Sequence, residues 1–278
     1  MNPECMLCPE GELPAEIAER REVVSAFALQ GTIAWVRDPW GGALLPFWLG
    51  AEFEPVVRNP HCDEPVAASV PWATRKILAA AGILVPDAGR TAKNDVIQKT
   101  AAQFQEKGYA PIGDLIHPLH IAALRRYYRH LLRSGAVQLG DGQSNRRYVA
   151  YNEPVARFFH QQIAGKISVL AGLELKPSYV YMASYLSGAE LKKHVDREQC
   201  EYSVTLCLDF SPEPELATPW PIQLDTPMGT VKVYQALGDA LVYRGTRLPH
   251  YRGILGEGQT STSIFFHYVP MSFSGPLG

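Results

Sequence analysis

From residue 178 onward the chain is written in short strands. Segments 179–186, 202–210, 229–234, 239–243 and 260–269 are rich in Val, Tyr, Phe, Thr and Leu and are separated by Gly-, Pro- and Asp-containing turns. The preceding half reads mainly as helix. A run of helices followed by a run of strands predicts an α+β protein with a closed or sandwiched β core and helices packed against it. It argues against a parallel sheet built from strand-helix-strand units.

The first half divides further. Residues 13–28 and 72–84 carry apolar side chains at helical spacing. Between them a section rich in Trp, Pro and Gly (Trp35, Trp40, Pro46, Trp48) reads as irregular or short-stranded packing. The polar stretch 87–94 is the best boundary, so we expect a mostly helical N-terminal module of unknown role over 1–88 and a second domain over 89–278. In that domain 96–105 reads as a helix ended by Gly108, and 109–116 as a short strand. Residues 117–132 form an amphipathic helix begun by Pro118, and Asn152 is the expected N-cap of a helix running to Leu170.

Composition narrows the function. A chain of 278 residues with 46% hydrophobic and 19% charged residues buries a sizeable core, which argues against long disordered stretches. A net charge of -2 lacks the basic excess that neutralises phosphates, so nucleic acid and anionic membrane surfaces are not expected partners. The most apolar stretch, 40–53, is broken by Gly41, Gly42 and Pro46 and falls short of the about 20 residues that span a bilayer. The first residues show no charged-then-apolar secretory pattern, so a cytoplasmic location is expected. Cys5, Cys8, Cys62, Cys200 and Cys207 are odd in number and form no disulfide framework. The Cys5–Cys8 pair lacks the partners of a tetrahedral zinc site and is expected to be reduced thiols.

The chemistry lies in His194-Val195-Asp196, where an extended backbone turns an imidazole and a carboxylate to one face, and in the later His250. Two imidazoles and one carboxylate on one side of a metal leave positions open for oxygen and a co-substrate, and this donor set predicts iron. A second copy of the pattern, His61-Cys62-Asp63, lies among prolines with no strand after it and is expected to be a loop without metal.

The context of His194 carries a resemblance. The run Tyr185-Leu-Ser-Gly188-Ala-Glu-Leu191-Lys-Lys-His194-Val-Asp196 precedes a strand. Later come Gly238-Asp239-Ala-Leu-Val-Tyr243, then Pro249-His250-Tyr-Arg252-Gly253, then the last strand. With Gly108-Tyr-Ala-Pro-Ile-Gly-Asp-Leu-Ile116 and its following helix, this order resembles Fe(II)- and 2-oxoglutarate-dependent oxygenases, in particular the prolyl-hydroxylase-like and phytanoyl-hydroxylase-like branches, over about residues 108 to 270. The resemblance implies a double-stranded β-helix (jelly-roll) core. His194, Asp196 and His250 become the Fe(II) ligands, and 2-oxoglutarate the co-substrate of C–H hydroxylation. It gives Tyr185 a place facing the co-substrate, with core packing as the other reading.

One departure stands out. The family's basic residue at the start of the last strand, which pairs with the distal carboxylate of 2-oxoglutarate, is replaced here by Gln259-Thr260-Ser261. Arg252 shares the face of His250 and is the expected substitute, with Ser261 or Ser263 donating further bonds; Arg247 and Arg244 are the runners-up. Without such an arginine, the enzyme would use another co-substrate or none, or the chain would be a jelly-roll binding or sensor protein. His117, His120, His130 and His160 fall in expected helices, Asp239 in a tight turn, and Lys192 and Lys193 on a solvated approach. His267 shares the parity of Ser261 and Ser263. The substrate expected is an amino acid, a peptide or protein side chain, or a small metabolite.

Overall fold

The computed structural model describes residues 2, 4–27, 31–38, 41–58, 70–84, 89–113, 115–116 and 118–278. The N-terminal part holds β1 (Cys5–Cys8), a 3-10 turn, α1 (Arg21–Phe27), β2 (Ile33–Arg37), β3 (Leu44–Trp48), α2 (Gly50–Arg58) and α3 (Trp72–Ala80). Helices lie where 13–28 and 72–84 predicted them, and the short-stranded section between forms, with Cys5–Cys8, a three-stranded antiparallel sheet, β1-β2-β3. The reason is the alternation in 33–48. Ala34, Val36 and Phe47 face Phe53, Val57 and Leu78 of the local helices, while Ile33, Trp35, Leu44 and Trp48 face the other way.

That second face does not meet solvent. Trp35 stands edge-on to Phe158 at 6.5 Å, and the ring of Trp48 packs on His120. Lys166 reaches Asp38 at 3.4 Å. The N-terminal sheet and the helices of the second half thus share one hydrophobic cluster across the boundary drawn at residue 88.

The helical layer consists of α4 (Gly89–Lys107), then β4 (Tyr109–Ile112), α5 (Pro118–Arg133), the hairpin β5 (Gln138–Leu139) and β6 (Arg147–Tyr151), α6 (Pro154–Gln162) and α7 (Ala164–Ala171). Gly108 ends α4 in the left-handed region at φ 75°. The expected cap at Asn152 is displaced by one residue. Glu153 accepts from the Val155 and Ala156 amides and from the hydroxyls of Tyr127 and Tyr128, while Asn152, at φ 48°, accepts from the Val180 amide. The long carboxylate reaches the helix amides and both tyrosines together.

The rest is β: β7 (Leu175–Tyr185), β8 (Leu191–His194), β9 (Tyr202–Ser211), β10 (Ile222–Thr226), β11 (Gly229–Val233), β12 (Ala240–Arg244), β13 (His250–Arg252) and β14 (Thr260–Pro270). They form two antiparallel sheets, β4-β12-β9-β14-β7-β6-β5 and β11-β10-β13-β8, in the crossing order of a jelly roll. Side chains of the larger sheet alternate over most of its length. Val180, Met182, Val204, Leu206, Ile264 and Phe266 pack on the helices, whereas Tyr179, Tyr181, Ala183, Tyr185 and Phe265 point between the sheets. A bulge between Thr262 and Ser263 shifts β9 so that Phe210 faces inward. Asp209 is left outside to bind Arg125 and Arg129 of α5. Among the described residues no helix is long and apolar enough to cross a membrane.

Candidate metal centre and its pocket

His194 closes β8 and His250 opens β13, and the two are direct partners in the antiparallel register. Directly opposite residues bring side chains close, and the two imidazole rings lie 4.3 Å apart. Asp196 follows two residues after His194. Its Oδ1 lies 3.8 Å from His194 Nε2 and 3.5 Å from His250 Nε2. These three side chains form a cluster able to hold a cation.

The tautomers are set by the backbone. Each Nδ1 lies at hydrogen-bond distance from a carbonyl two residues earlier, His194 from Lys192 O at 2.7 Å and His250 from Leu248 O at 2.9 Å. A carbonyl only accepts, so each Nδ1 carries the proton and each Nε2 turns a lone pair toward Asp196. Burial and the neighbouring His250 hold His194 below the usual imidazole range. The hydrogen bond donated by Ser203 holds Asp196 ionised despite its burial, below the carboxylate range.

Asp196 is fixed from behind. Its amide donates to Gly245 O at 2.9 Å, and Ser203 donates its hydroxyl to Oδ2 at 2.7 Å. A Cβ on Gly245 would collide with Asp196 Oδ2, Cys200 O and Ser203 Oγ, so only glycine lets the turn after β12 run this close to the carboxylate. His267 Nδ1 sits 2.9 Å from Ser203 Oγ and completes the row behind Asp196.

In front of these three side chains lies a cavity of about 360 Å³ lined by Tyr179, Tyr181, Tyr185, Tyr243, Ile222, Phe265, Asp141, Gln143 and Arg147, among others. Tyr185 is fully buried and its hydroxyl accepts from Arg147 at 3.0 Å, while Trp220 meets its ring at 5.0 Å. Arg147 also grips Asp141, which accepts in addition from Tyr181 and from the Gln143 and Ser144 amides. This saturation lowers the Asp141 carboxyl to about 2 and ties the β5–β6 loop over the cavity.

Arg252 lies deeper between the sheets. Its guanidinium stacks on Trp220 at 4.9 Å and donates to Trp220 O and Gln235 Oε1, and Nε has no partner. Among the described residues no carboxylate meets it, and burial lowers its pKa. Ser263 Oγ, inward on β14, is likewise buried and unbonded. Ser261 is buried opposite Tyr185 in the β14–β7 register. Arg244 points elsewhere, onto Phe104 and Tyr202, and Arg247 is exposed.

The remaining histidines separate cleanly. His120 and His160 are buried, with His160 Nε2 donating to His267 O at 2.7 Å, and His130 is exposed. His267 lines the cavity. His61, Cys62, Asp63 and His117 lie outside the described residues. Lys193 pairs with Asp225, and Asp239 accepts from the Ala236 amide in its turn.

Sequence reasoning missed Arg147, Asp141, Ser203, Gly245 and Trp220. Only Gly245, in a turn between strands, and Ser203, inward by parity, left any signal.

The fold is similar to that of several solved enzymes. One is the α-ketoglutarate dependent epimerase SnoN from nogalamycin biosynthesis (TM-score 0.55, 14% identity, 66% of this chain and 87% of that one). Another is a Pseudomonas putida prolyl-4-hydroxylase (TM-score 0.50, 15% identity, 62% and 98%). A third is HygX from Streptomyces hygroscopicus, solved with nickel, 2-oxoglutarate and hygromycin B (TM-score 0.51, 12% identity, 64% and 88%). Such identities make this a likeness of fold. Neither the family models nor the curated proteins give a match.

Proposed function

We propose that this chain is a non-haem Fe(II)- and 2-oxoglutarate-dependent oxygenase, acting on a C–H bond of a small molecule or of an amino-acid or peptide side chain. The observation that carries the reading is that one barrel contains both a His-Asp-His cluster with two inward lone pairs and a buried guanidinium without an anion. A buried cation lacking a counter-charge is costly, and a carboxylate entering the barrel relieves that cost. SnoN has been solved with Fe3+ and α-ketoglutarate, and HygX with nickel and 2-oxoglutarate, which supports the same pairing here.

His194, Asp196 and His250 hold the iron in this reading. Arg252 binds the distal carboxylate of the co-substrate through a two-pronged fork, and Ser263 donates to it. Tyr185 lines the cavity, and Ser261 lies opposite it in the β14–β7 register. Bound iron supplies oxygen activation coupled to decarboxylation of the keto acid. The chain orients the reactants, and the tyrosine-lined walls keep water out. The free thiols of Cys5, Cys8, Cys200 and Cys207 fit a reducing, cytoplasmic setting, and the charge balance fits a partner other than nucleic acid.

The test is an anaerobic titration of the Fe(II)-loaded protein with 2-oxoglutarate, read at the weak visible charge-transfer band of a chelated keto acid. A band that weakens in Arg252→Ala is expected. Bound iron without a band would move the protein to oxygenases that do without 2-oxoglutarate, and absence of bound iron would leave a binding or sensor protein.

A further inference from the structure

The cavity has two ends, and the outer one carries a charge that the proposed chemistry does not use. Four charged side chains line it: Asp141, Arg147, Asp196 and Arg197. Asp141 and Arg147 neutralise one another. Asp196 faces the imidazoles. In the loaded site, the metal dication and Arg252 balance the keto-acid dianion and Asp196. Arg197 is left over.

Arg197 is exposed at the rim, and its guanidinium is held there by one neighbouring side chain. Its Nη2 donates to Tyr179 OH at 2.9 Å, and the guanidinium lies over the Tyr179 ring at 5.3 Å. Among the described residues it has no acidic partner and no other hydrogen bond. A guanidinium stacked in this way has lost its conformational freedom before a ligand arrives and keeps N–H groups free to fork onto a carboxylate.

Beside it the wall is aromatic. The Tyr151 ring lies 6.0 Å from Tyr179 and 4.5 Å from Tyr181, and Phe265 lies 6.0 Å beyond Tyr181. Tyr151 is 58% exposed at the rim, while Tyr179 and Tyr181 are buried, so the wall leads from solvent toward the metal ligands. A cavity of about 360 Å³ that also takes a keto acid leaves room for a small reacting end only.

We propose that the substrate is a carboxylic acid with a ring-bearing body. Arg197 binds its carboxylate at the rim, Tyr151, Tyr179 and Tyr181 pack on the body, and the reacting carbon is directed toward His194, Asp196 and His250. The assignment rests on the oxygenase reading and adds the substrate class and the residue that selects it.

The test uses the full chain loaded with Zn(II), which is redox-inert, and saturated with 2-oxoglutarate. Binding of 3-phenylpropionate and phenylacetate is compared by calorimetry with binding of their amides, which share the shape and lack the charge. The acids are expected to bind at least about tenfold tighter than the amides. Arg197→Gln should bring the two within about twofold, and Arg197→Lys should keep a weakened preference, since an ammonium retains the charge and loses the fork. Equal binding of acids and amides, a preference that survives in Arg197→Gln, or no binding of either acid overturns the proposal. A parallel 2-oxoglutarate titration, unchanged in Arg197→Gln, separates the two readings. An acid preference that depends on Arg197 without 2-oxoglutarate binding would sink the co-substrate and keep this assignment, and the reverse would do the opposite.

Discussion

Ser203 donates its only hydroxyl proton to Asp196 Oδ2 at 2.7 Å, so the imidazole of His267, 2.9 Å behind it, must be the donor in the next link. Asp196 is thereby aimed by a row of neutral hydrogen bonds, leaving Oδ1 to face the two imidazoles. Removal of such support from a metal-binding carboxylate weakens affinity by about 10–100-fold. Ser203→Ala is therefore expected to lower Fe(II) affinity in that range while the far-ultraviolet spectrum stays unchanged. Gly245→Ala should be worse, because the added methyl occupies the place of the carboxylate.

His194→Ala and His250→Ala should each abolish tight metal binding and any iron-dependent turnover, with melting temperatures near that of the parent metal-free protein, since both rings border an open cavity. His61→Ala should alter neither. Metal analysis after dialysis checks this. Loss of metal in the His61 variant with retention in the His194 variant would transfer the site to the other His-x-Asp.

Arg252 should make thermal stability depend on the co-substrate. A ligand present at about a hundred times its dissociation constant adds about 2.7 kcal/mol. We expect 2-oxoglutarate with Zn(II) to raise the melting temperature of the parent protein and to leave Arg252→Met unmoved. An equal rise in both would remove Arg252 from carboxylate binding.

The Asp141 clamp should be the main fastening of the β5–β6 loop. Its carboxylate is held at about 2 against an ordinary 3.8. Its contribution is therefore complete above pH 3.8 and is lost as the pH falls through about 2. Asp141→Asn strands a nearly buried Arg147 guanidinium and is expected to cost about 3 kcal/mol. Hydrogen exchange at 140–146 should rise more than anywhere else.

His160 predicts a second acid dependence with a separate window. Burial lowers it from 6.5 to about 3, so the folded state keeps it neutral while the unfolded chain takes up a proton. Its stability contribution is full above pH 6.5 and declines toward about 3, by about 1.4 kcal/mol per pH unit. His160→Gln, which keeps a donor for His267 O, should remove one proton's share of that slope in denaturant titrations from pH 7 to 4.

Parity and turn chemistry made the jelly-roll strands readable, because residues such as Val180 and Tyr181 alternate between two apolar layers. His194 and His250 could be named from type and order, but their pairing in register was invisible until β8 and β13 were seen side by side. The section 33–48 could be read only as irregular or short-stranded, because both faces of its sheet are buried and it lacks the polar-apolar alternation that marks a half-exposed strand. Arg147 and Asp141 escaped for another reason. Their importance comes from reaching Tyr185 and Tyr181 across a neighbouring strand, and single-chain spacing carries no trace of that.

Strands β7 and β14 present odd-numbered residues to the cavity and even-numbered ones to the helices through most of their length. Evolvability follows from that arithmetic. Positions 179, 181 and 265 can be exchanged to admit a differently shaped reactant without touching 180, 182, 264 or 266, which hold the helical layer in place. A lineage built on this sheet can change what its cavity accepts while the framework that keeps it folded is inherited intact.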